Sequence, residues 1–200
     1  MDQKELRAKL RRRRQSLSNN QHYLAQKQLT ILVSLLPEFL ASTHIALYFA
    51  SDGEIDPVGI AKKAWSQGKV CYLPVLDKNR KGYMYFLPYK PNMPMHHNQY
   101  GICEPVLPDH CIRHAEDLDL VLMPLTGFDE KGHRIGMGGG YYDRTFAFKK
   151  KAPTQNKPLL MGIAHECQKV ELLSANAWDI QLAGVATDQK VYSFIKPRLV

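Results

Sequence analysis

The sequence predicts an α/β protein with an open, mostly parallel sheet flanked by helices, and three observations carry that prediction. Short apolar runs at 44–50, 70–75, 119–124, 159–164 and 185–187 have the length of buried strands. Stretches of helical length separate several of them, and strands that alternate with helices pair in parallel. Proline and glycine punctuate the joints. With 200 residues, 44% of them hydrophobic, the chain is long enough for one sizeable core. It is read as one domain over residues 1–200, with no internal repeat and no linker of domain scale.

Residues 2–15 form a basic helix on the spacing of Leu6, Leu10 and Leu17; the cations on its other faces predict loose docking. Ser18 and Gln21 have capping-box spacing and open a longer helix that buries Leu24, Leu29, Leu32, Leu35 and Leu36 until Pro37 stops it. The strand over 44–50 runs into the loop Ser51-Asp52-Gly53-Glu54. Asp56 as N-cap and Pro57 at N1 start a helix ending near Gly68, and strand 70–75 completes a βαβ unit. Residues 82–89 alternate enough for a further strand, whereas 90–117, rich in Pro, His and Asn, read as a long surface connection. Strand 119–124 leads into a glycine-rich loop and a helix over 140–148, followed by a polar loop over 149–158. The last two strands are separated by a helix or turn. Ligands of such sheets collect at the carboxyl ends of strands, which singles out loops 51–56 and 126–143.

The formal charge is +8, from 27 Lys plus Arg against 19 Asp plus Glu. Lys4, Arg7, Lys9, Arg11, Arg12, Arg13 and Arg14 face only Asp2 and Glu5 in the first helix, so the excess is concentrated there. Taken alone it allows a polyanionic partner. No run of about 18 apolar residues could span a bilayer. No apolar signal region follows the basic start, so a cytoplasmic protein without a membrane partner is expected. Cys71, Cys103, Cys111 and Cys167 contain no C-x-x-C pair and are expected as reduced thiols. His110 and His114 lack a third ligand, which argues against a metal there.

The most informative stretch runs from Gly127 to Arg144, and its core is Arg134-Ile135-Gly136-Met137-Gly138-Gly139-Gly140-Tyr141-Tyr142-Asp143-Arg144. Its four glycines let the backbone adopt φ > 0 and present bare N–H groups, and a following helix adds the positive end of its dipole. That is a phosphate cradle in physical terms. It is neither a Walker A loop nor a Rossmann fingerprint, because Tyr141 stands where the last glycine is required. Arg134 suits bidentate contact with a phosphate, and Asp143 suits a divalent cation. The plainer alternative is a tight turn in which Asp143 complements a helix dipole while Tyr141 and Tyr142 are core aromatics.

The block from Met123-Pro124 through Gly127-Phe128-Asp129, Gly132, Arg134-Ile135-Gly136 and Gly138 to Gly140-Tyr141-Tyr142-Asp143-Arg144 resembles the signature of the 5-formyltetrahydrofolate cyclo-ligases, or methenyltetrahydrofolate synthetases. The likeness spans nearly the whole chain. It includes Lys4-Glu5-Leu6-Arg7, Gly53-Glu54-Ile55-Asp56, Gly101-Ile102 with Glu104-Pro105, Gly162-Ile163-Ala164 with Gln168, and Trp178-Asp179. The resemblance implies conversion of 5-formyltetrahydrofolate to 5,10-methenyltetrahydrofolate with ATP and Mg²⁺, through a phosphorylated formyl group. It also implies a three-layer fold like that of phosphosugar isomerases and CoA transferases, and a monomer whose folate substrate carries or lacks a polyglutamate tail. Carried over, Gln3, Lys4, Arg7, Arg134, Ile135, Gly136, Met137, Gly138, Gly139, Gly140, Tyr141 and Tyr142 contact ATP. Asp143 and Asp179 hold Mg²⁺, and Arg134, Tyr142 and Asp143 are the catalytic set. On the folate side stand Phe49, Glu54, Tyr100 and Glu104, together with Met137, Gly138, Gly139, Gly140 and Tyr141. The family often has Lys where Gly139 stands, which leaves open whether Arg134, Arg144 or an N-terminal cation replaces it.

Two rival functions fit parts of the pattern. A nucleic-acid binder would use residues 11–14 as a phosphate-tracking arm, but no reader motif accompanies them. A phosphosugar or acyl-CoA enzyme of similar architecture would use the glycine loop without consuming ATP, and only the site, not the fold, separates these.

Overall fold

A computed structural model describes residues 2–151, 157–174, 176 and 178–194. Two capping boxes open the first helices. Asp2 accepts from the Glu5 N–H at 2.7 Å and Glu5 returns the bond, starting α1 (Gln3–Gln15). Ser18 and Gln21 do the same for α2 (Asn19–Ser34), and Pro37 opens the single turn α3 (Pro37–Leu40). After β1 (His44–Ala46), the Asp56 carboxylate accepts from the Val58 N–H at 2.8 Å and starts α4 (Val58–Ser66). The chain continues through β2 (Val70–Leu76), β3 (Met84–Tyr89), β4 (Met95–His97), β5 (Cys103–Pro105), β6 (Leu120–Pro124), β7 (Gly127–Phe128) and β8 (Arg134–Ile135). It ends with α5 (Tyr141–Thr145), α6 (Phe148–Lys151), β9 (Leu159–Ile163), β10 (Gly184–Ala186) and β11 (Val191–Ser193).

The main sheet has seven strands in the order β11-β10-β9-β6-β1-β2-β3. Its five inner strands are parallel, and β3 and β11 close the two edges antiparallel. Alternate residues serve opposite faces. Ile45, Leu120, Leu122, Met161 and Ile163 meet Leu29, Val33, Phe39 and Ile60 from α2, α3 and α4. Ala46, Val121, Met123, Leu160 and Val185 meet Phe86, Leu118, Phe146 and Ile180 on the other side. Burial on both faces explains why β6 reads as an uninterrupted apolar run.

The open, mostly parallel α/β sheet agrees with the sequence-based expectation; several details differ. The 90–117 segment carries the hairpin β4–β5, and a second two-stranded pair, β7–β8, forms inside the glycine-rich loop. The helix expected over 140–148 breaks into α5 and α6, so the expected polar loop starts with a helical turn, and residues 152–156 lie outside the described ones. In α2 the buried stripe is Ala25, Leu29 and Val33, while Leu24 and Leu35 are exposed. The face is chosen by the crossing with α4, where Gly59 lies so close to Thr30 that a Cβ would collide with it.

Helix α1 docks tightly, contrary to expectation: Leu10 and Arg14 are both fully buried. Leu10 packs with Ile135 and Leu173, and a Cβ on Gly127 would come within 2.5 Å of its Cδ1. Glycine at 127 therefore admits the helix. Replacing Leu10 by Ala should cost about 2–4 kcal/mol of unfolding free energy, read by urea denaturation. A cost under about 1 kcal/mol would mean a loosely held helix after all.

Candidate active site

Strand β1 leaves through α4 to β2 on one side, whereas β6 leads to β9 on the other. Their carboxyl ends therefore splay apart, and a crevice opens where sheets of this type bind ligands. The loop after β1, residues 47–57, and the loop after β6, residues 125–140, form its sides, and α1 lies against both.

The loop after β1 is held by charge. Asp52 adopts φ +53°, a left-handed conformation that Asp and Asn tolerate better than most residues. Its carboxylate accepts from Arg11 Nε at 2.6 Å and Nη2 at 2.9 Å, from Arg14 Nη2 at 2.7 Å, and from the Gln15 amide. The Arg11 bonds, then those of Arg14, hold the Asp52 pKa down at about 2. Arg14 also donates to the backbone carbonyls of Asp52 at 2.8 Å and Leu125 at 3.3 Å. Two residues on, Glu54 takes bonds from the Ser51 N–H and hydroxyl on Oε2 and faces Arg14 Nη2 at 3.6 Å with Oε1. Burial raises the Glu54 pKa and Arg14 opposes that rise. Glu54 lines a cavity of about 370 Å³ with Asn19, His22, Tyr23, Gln26, Gly53 and Asp56. His165 stands edge-to-face to His22 at 4.9 Å, and burial pushes its pKa down to about 4.

The glycine loop is held by arginines from both sides. Arg7 Nε donates to the Gly136 carbonyl at 2.9 Å, and its Nη2 to the Gln3 amide oxygen at 3.0 Å. Arg144 donates to the Gly139 carbonyl and, through Nε, to Gly82 at 2.9 Å. Gly138 and Gly140 have φ +98° and +63°, which a side chain would strain. Beneath the loop Arg134 is buried: Nη1 donates to the Ile180 carbonyl and Nη2 to Asp143 Oδ1 at 2.5 Å. The Ile180 N–H donates to the same Oδ1 at 3.1 Å, and among the described residues no hydrogen bond reaches Oδ2. Such a surface of glycine N–H groups, cations and a half-committed carboxylate suits a phosphate chain with a divalent cation.

The 5-formyltetrahydrofolate cyclo-ligase family profile matches residues 1–188. The chain belongs to that family. A Haemophilus influenzae 5-formyltetrahydrofolate cyclo-ligase is 40% identical over 179 residues, 89% of this chain and 93% of that protein. The Escherichia coli K12 enzyme of the same name is 37% identical over 186 residues, 92% of this chain and 100% of its own. The solved structure of Aquifex aeolicus 5,10-methenyltetrahydrofolate synthetase superposes with a TM-score of 0.82 at 28% identity, covering 100% of this chain and 96% of that one. The family is one of ligases, so the chain is an enzyme.

For a cyclo-ligase the expected site residues fall into three groups. Arg7, Gly136, Gly139, Arg134 and Asp143 come together, with Gln3 bonded to Arg7 and with Lys4 and Met137 exposed. The Ile135 side chain turns inward onto Leu10, and its carbonyl accepts from the Thr126 N–H at 2.9 Å. Tyr141 and Tyr100 meet hydroxyl to hydroxyl at 3.0 Å, joining the glycine loop to the β4–β5 hairpin. Tyr142 stacks on Phe146, and burial followed by the Glu54 charge raises its pKa, so it keeps its proton. The second group is the loop after β1, and its members part: Glu54 lines the 370 Å³ cavity, whereas Phe49 packs edge-to-face on Tyr89 at 5.2 Å and lines a separate small pocket with it. The third makes structural bonds. Glu104 is buried and accepts from the Leu76 N–H at 3.0 Å and the Asn98 amide at 2.7 Å, and Asp179 accepts from the Asn176 N–H at 2.8 Å. Sequence reasoning missed Asp52 and the distinct duties of Arg11 and Arg14; a loop acid and a cation repeating at helical spacing were the available signals. Gln168 figured only as a matching position of the resemblance, without a duty; it donates to the carbonyls of Leu125 at 2.6 Å and Thr126 at 2.9 Å.

The depressed Asp52 pKa has a consequence in acid. A carboxylate whose folded pKa lies below its unfolded value stabilises the fold above that unfolded value, near 3.9, and loses the contribution as pH falls toward about 2. Urea midpoints of the wild type should fall more steeply from pH 4 to pH 2 than those of Asp52→Asn. Parallel slopes would show that the Asp52 charge adds nothing to stability.

Proposed function

We propose that this enzyme cyclises 5-formyltetrahydrofolate to 5,10-methenyltetrahydrofolate and consumes ATP, releasing ADP and phosphate. The observation that carries the reading is the Arg7 contact with Gly136 across 129 residues of sequence, because it sets the first turns of α1, with Gln3 and Lys4, beside the glycine loop. Two chain segments are then available to one triphosphate. The same α1 spends Arg11 and Arg14 on Asp52, which favours small anionic substrates over nucleic acid.

The chemistry explains the need for ATP. A formamide oxygen is a poor leaving group. Attack of that oxygen on the γ-phosphorus, with departure of ADP, makes an imidate phosphate; N10 then bonds to the formyl carbon, loses its proton and expels phosphate. The protein's contribution is alignment and charge neutralisation. The N–H groups of Gly136, Gly138, Gly139 and Gly140 and the cations Lys4 and Arg7 receive the phosphates, while Arg134 fixes Asp143. Glu54 accepts the amide and amino N–H groups of the pterin, and Tyr100, Tyr141 and Phe49 offer aromatic faces.

A Mg²⁺ ion fits this donor set. Asp143 commits one oxygen to Arg134 and Ile180 and keeps the other for a cation, with Asp179 next to Ile180 in the chain. No cluster of three or more His, Cys, Asp or Glu side chains arranged for a metal exists among the described residues. One or two carboxylates suffice for Mg²⁺, since phosphate oxygens and water complete its shell. When bound, it would neutralise charge on the transferring phosphoryl group. The cation expected at position 139 is replaced, in this reading, by Arg144, whose guanidinium caps the Gly139 carbonyl.

Mixing the protein with 5-formyltetrahydrofolate, Mg²⁺ and ATP should produce the near-ultraviolet absorbance of the methenyl product; folded protein that gives no ATP-dependent signal would refute the proposal. In that assay Arg134→Ala is expected to lower kcat/KM for ATP by about 100-fold. It should also cost about 1–3 kcal/mol of stability by leaving the Ile180 carbonyl unpaired; wild-type turnover would remove Arg134 from the site. Asp143→Asn should raise the Mg²⁺ concentration needed for half-maximal rate, and an unchanged titration would exclude it as a ligand.

A further inference from the structure

Arg14 is the largest side chain among those the fold buries completely, and the reaction as drawn leaves it without a task. A guanidinium at that depth is costly unless its N–H groups and its charge are both answered. Three acceptors answer the N–H groups: the Asp52 carbonyl and carboxylate and the Leu125 carbonyl. The charge is answered less simply. Asp52 already carries the two bonds of Arg11, so the pair of guanidiniums is balanced only if a second acid is ionised, and Glu54 Oε1 stands 3.6 Å from Arg14 Nη2.

We infer that Arg14 is a positioning residue for the folate half of the reaction: it holds Glu54 ionised and fixed at the wall of the 370 Å³ cavity, ready to accept paired N–H groups. The inference rests on the reading of Glu54 as the folate-side carboxylate. The groups that face Glu54 are Arg11 and Arg14 from α1, Ser51 and Asp52 from its own loop, Tyr48 after β1 and Tyr142 from α5, and Asp56 lines the cavity beside it. His22 and Tyr23 of α2 line the same cavity. Burial drives Glu54 toward its neutral form and Asp52 adds repulsion; Arg14 and the Ser51 bonds oppose both. Removing the Arg14 charge and removing the Asp52 charge must therefore act on Glu54 with opposite signs.

That opposition separates positioning from mere support of the fold. In pH profiles of kcat/KM for 5-formyltetrahydrofolate, the acid limb reports the ionisation of the essential base of the free enzyme. Arg14→Gln should move this limb to higher pH and raise KM for the folate about tenfold at pH 7, with KM for ATP changed by less than about threefold. Arg14→Lys, which keeps the charge, should restore the limb toward its wild-type position. Asp52→Asn, tolerated at φ +53°, should move it to lower pH. If Arg14→Gln does not fold, Asp52→Asn alone carries the sign. A limb that stays put or moves in the same direction in both variants overturns the inference, as does an equal rise in both KM values, which would mean that α1 has shifted as a body. Glu54→Gln tests the underlying reading separately: a wild-type KM for the folate in that variant removes Glu54 from the folate site, whereas an impaired variant with coincident Arg14 and Asp52 profiles sinks only the role of Arg14.

Discussion

The ion pair between the buried Arg14 and the half-buried Asp52 ties three segments that the parallel sheet would otherwise leave apart. Chain topology sends β1 and β6 away in opposite directions, so their carboxyl ends carry loops with unmatched carbonyl groups. One guanidinium satisfies the Asp52 and Leu125 carbonyls and shares the Asp52 carboxylate with Arg11 at the same time. An ammonium lacks the planar fork needed to meet both carbonyls and the acid from one position. Gln168 reinforces the same corner through Leu125 and Thr126, so the floor of the crevice is a hydrogen-bonded junction and not an apolar contact.

This junction gives the N-terminal helix a role that its charge alone does not suggest. A helix of 13 residues is about 20 Å long, enough to run from the glycine loop, where Arg7 meets Gly136, to the Asp52 loop and Glu54. Its two ends therefore face the two halves of the proposed reaction. The positive charge divides accordingly: Lys4 stays exposed and Arg7 braces the glycine loop at one end, while Arg11 and Arg14 pair with Asp52 at the other. Fixing both walls with one rigid element suits a phosphoryl transfer in which alignment supplies most of the rate.

Much of the fold was legible because its signals are local. Ser18 with Gln21, Asp56 with Pro57, and the apolar run of β6 each carry their own physical reason in adjacent residues. Elements of two or three residues, such as β4, β5, β7 and β8, are too short for any periodicity to show. The leucines of α2 misled because hydrophobicity does not say which of several apolar stripes finds a neighbour; the small residues at the crossing with α4 decided that Ala25, Leu29 and Val33 face inward. At the candidate site, Arg134 and Asp143 drew notice by type and loop position, but their mutual bond and their shared partner Ile180, 46 and 37 residues away, could not be read from the sequence.

By itself, the sequence determined the fold class, the position of the glycine loop and the family, since each is written in the order and spacing of neighbouring residues. It did not distinguish Arg14 from Arg11, Arg12 and Arg13, which share one run and one chemistry. Only the tertiary structure separated them, because burial depends on which helical face meets the sheet. Asp52 and Leu125, 38 and 111 residues away, fix Arg14 as a buried hydrogen-bonded junction, while Arg12 and Arg13 stay exposed.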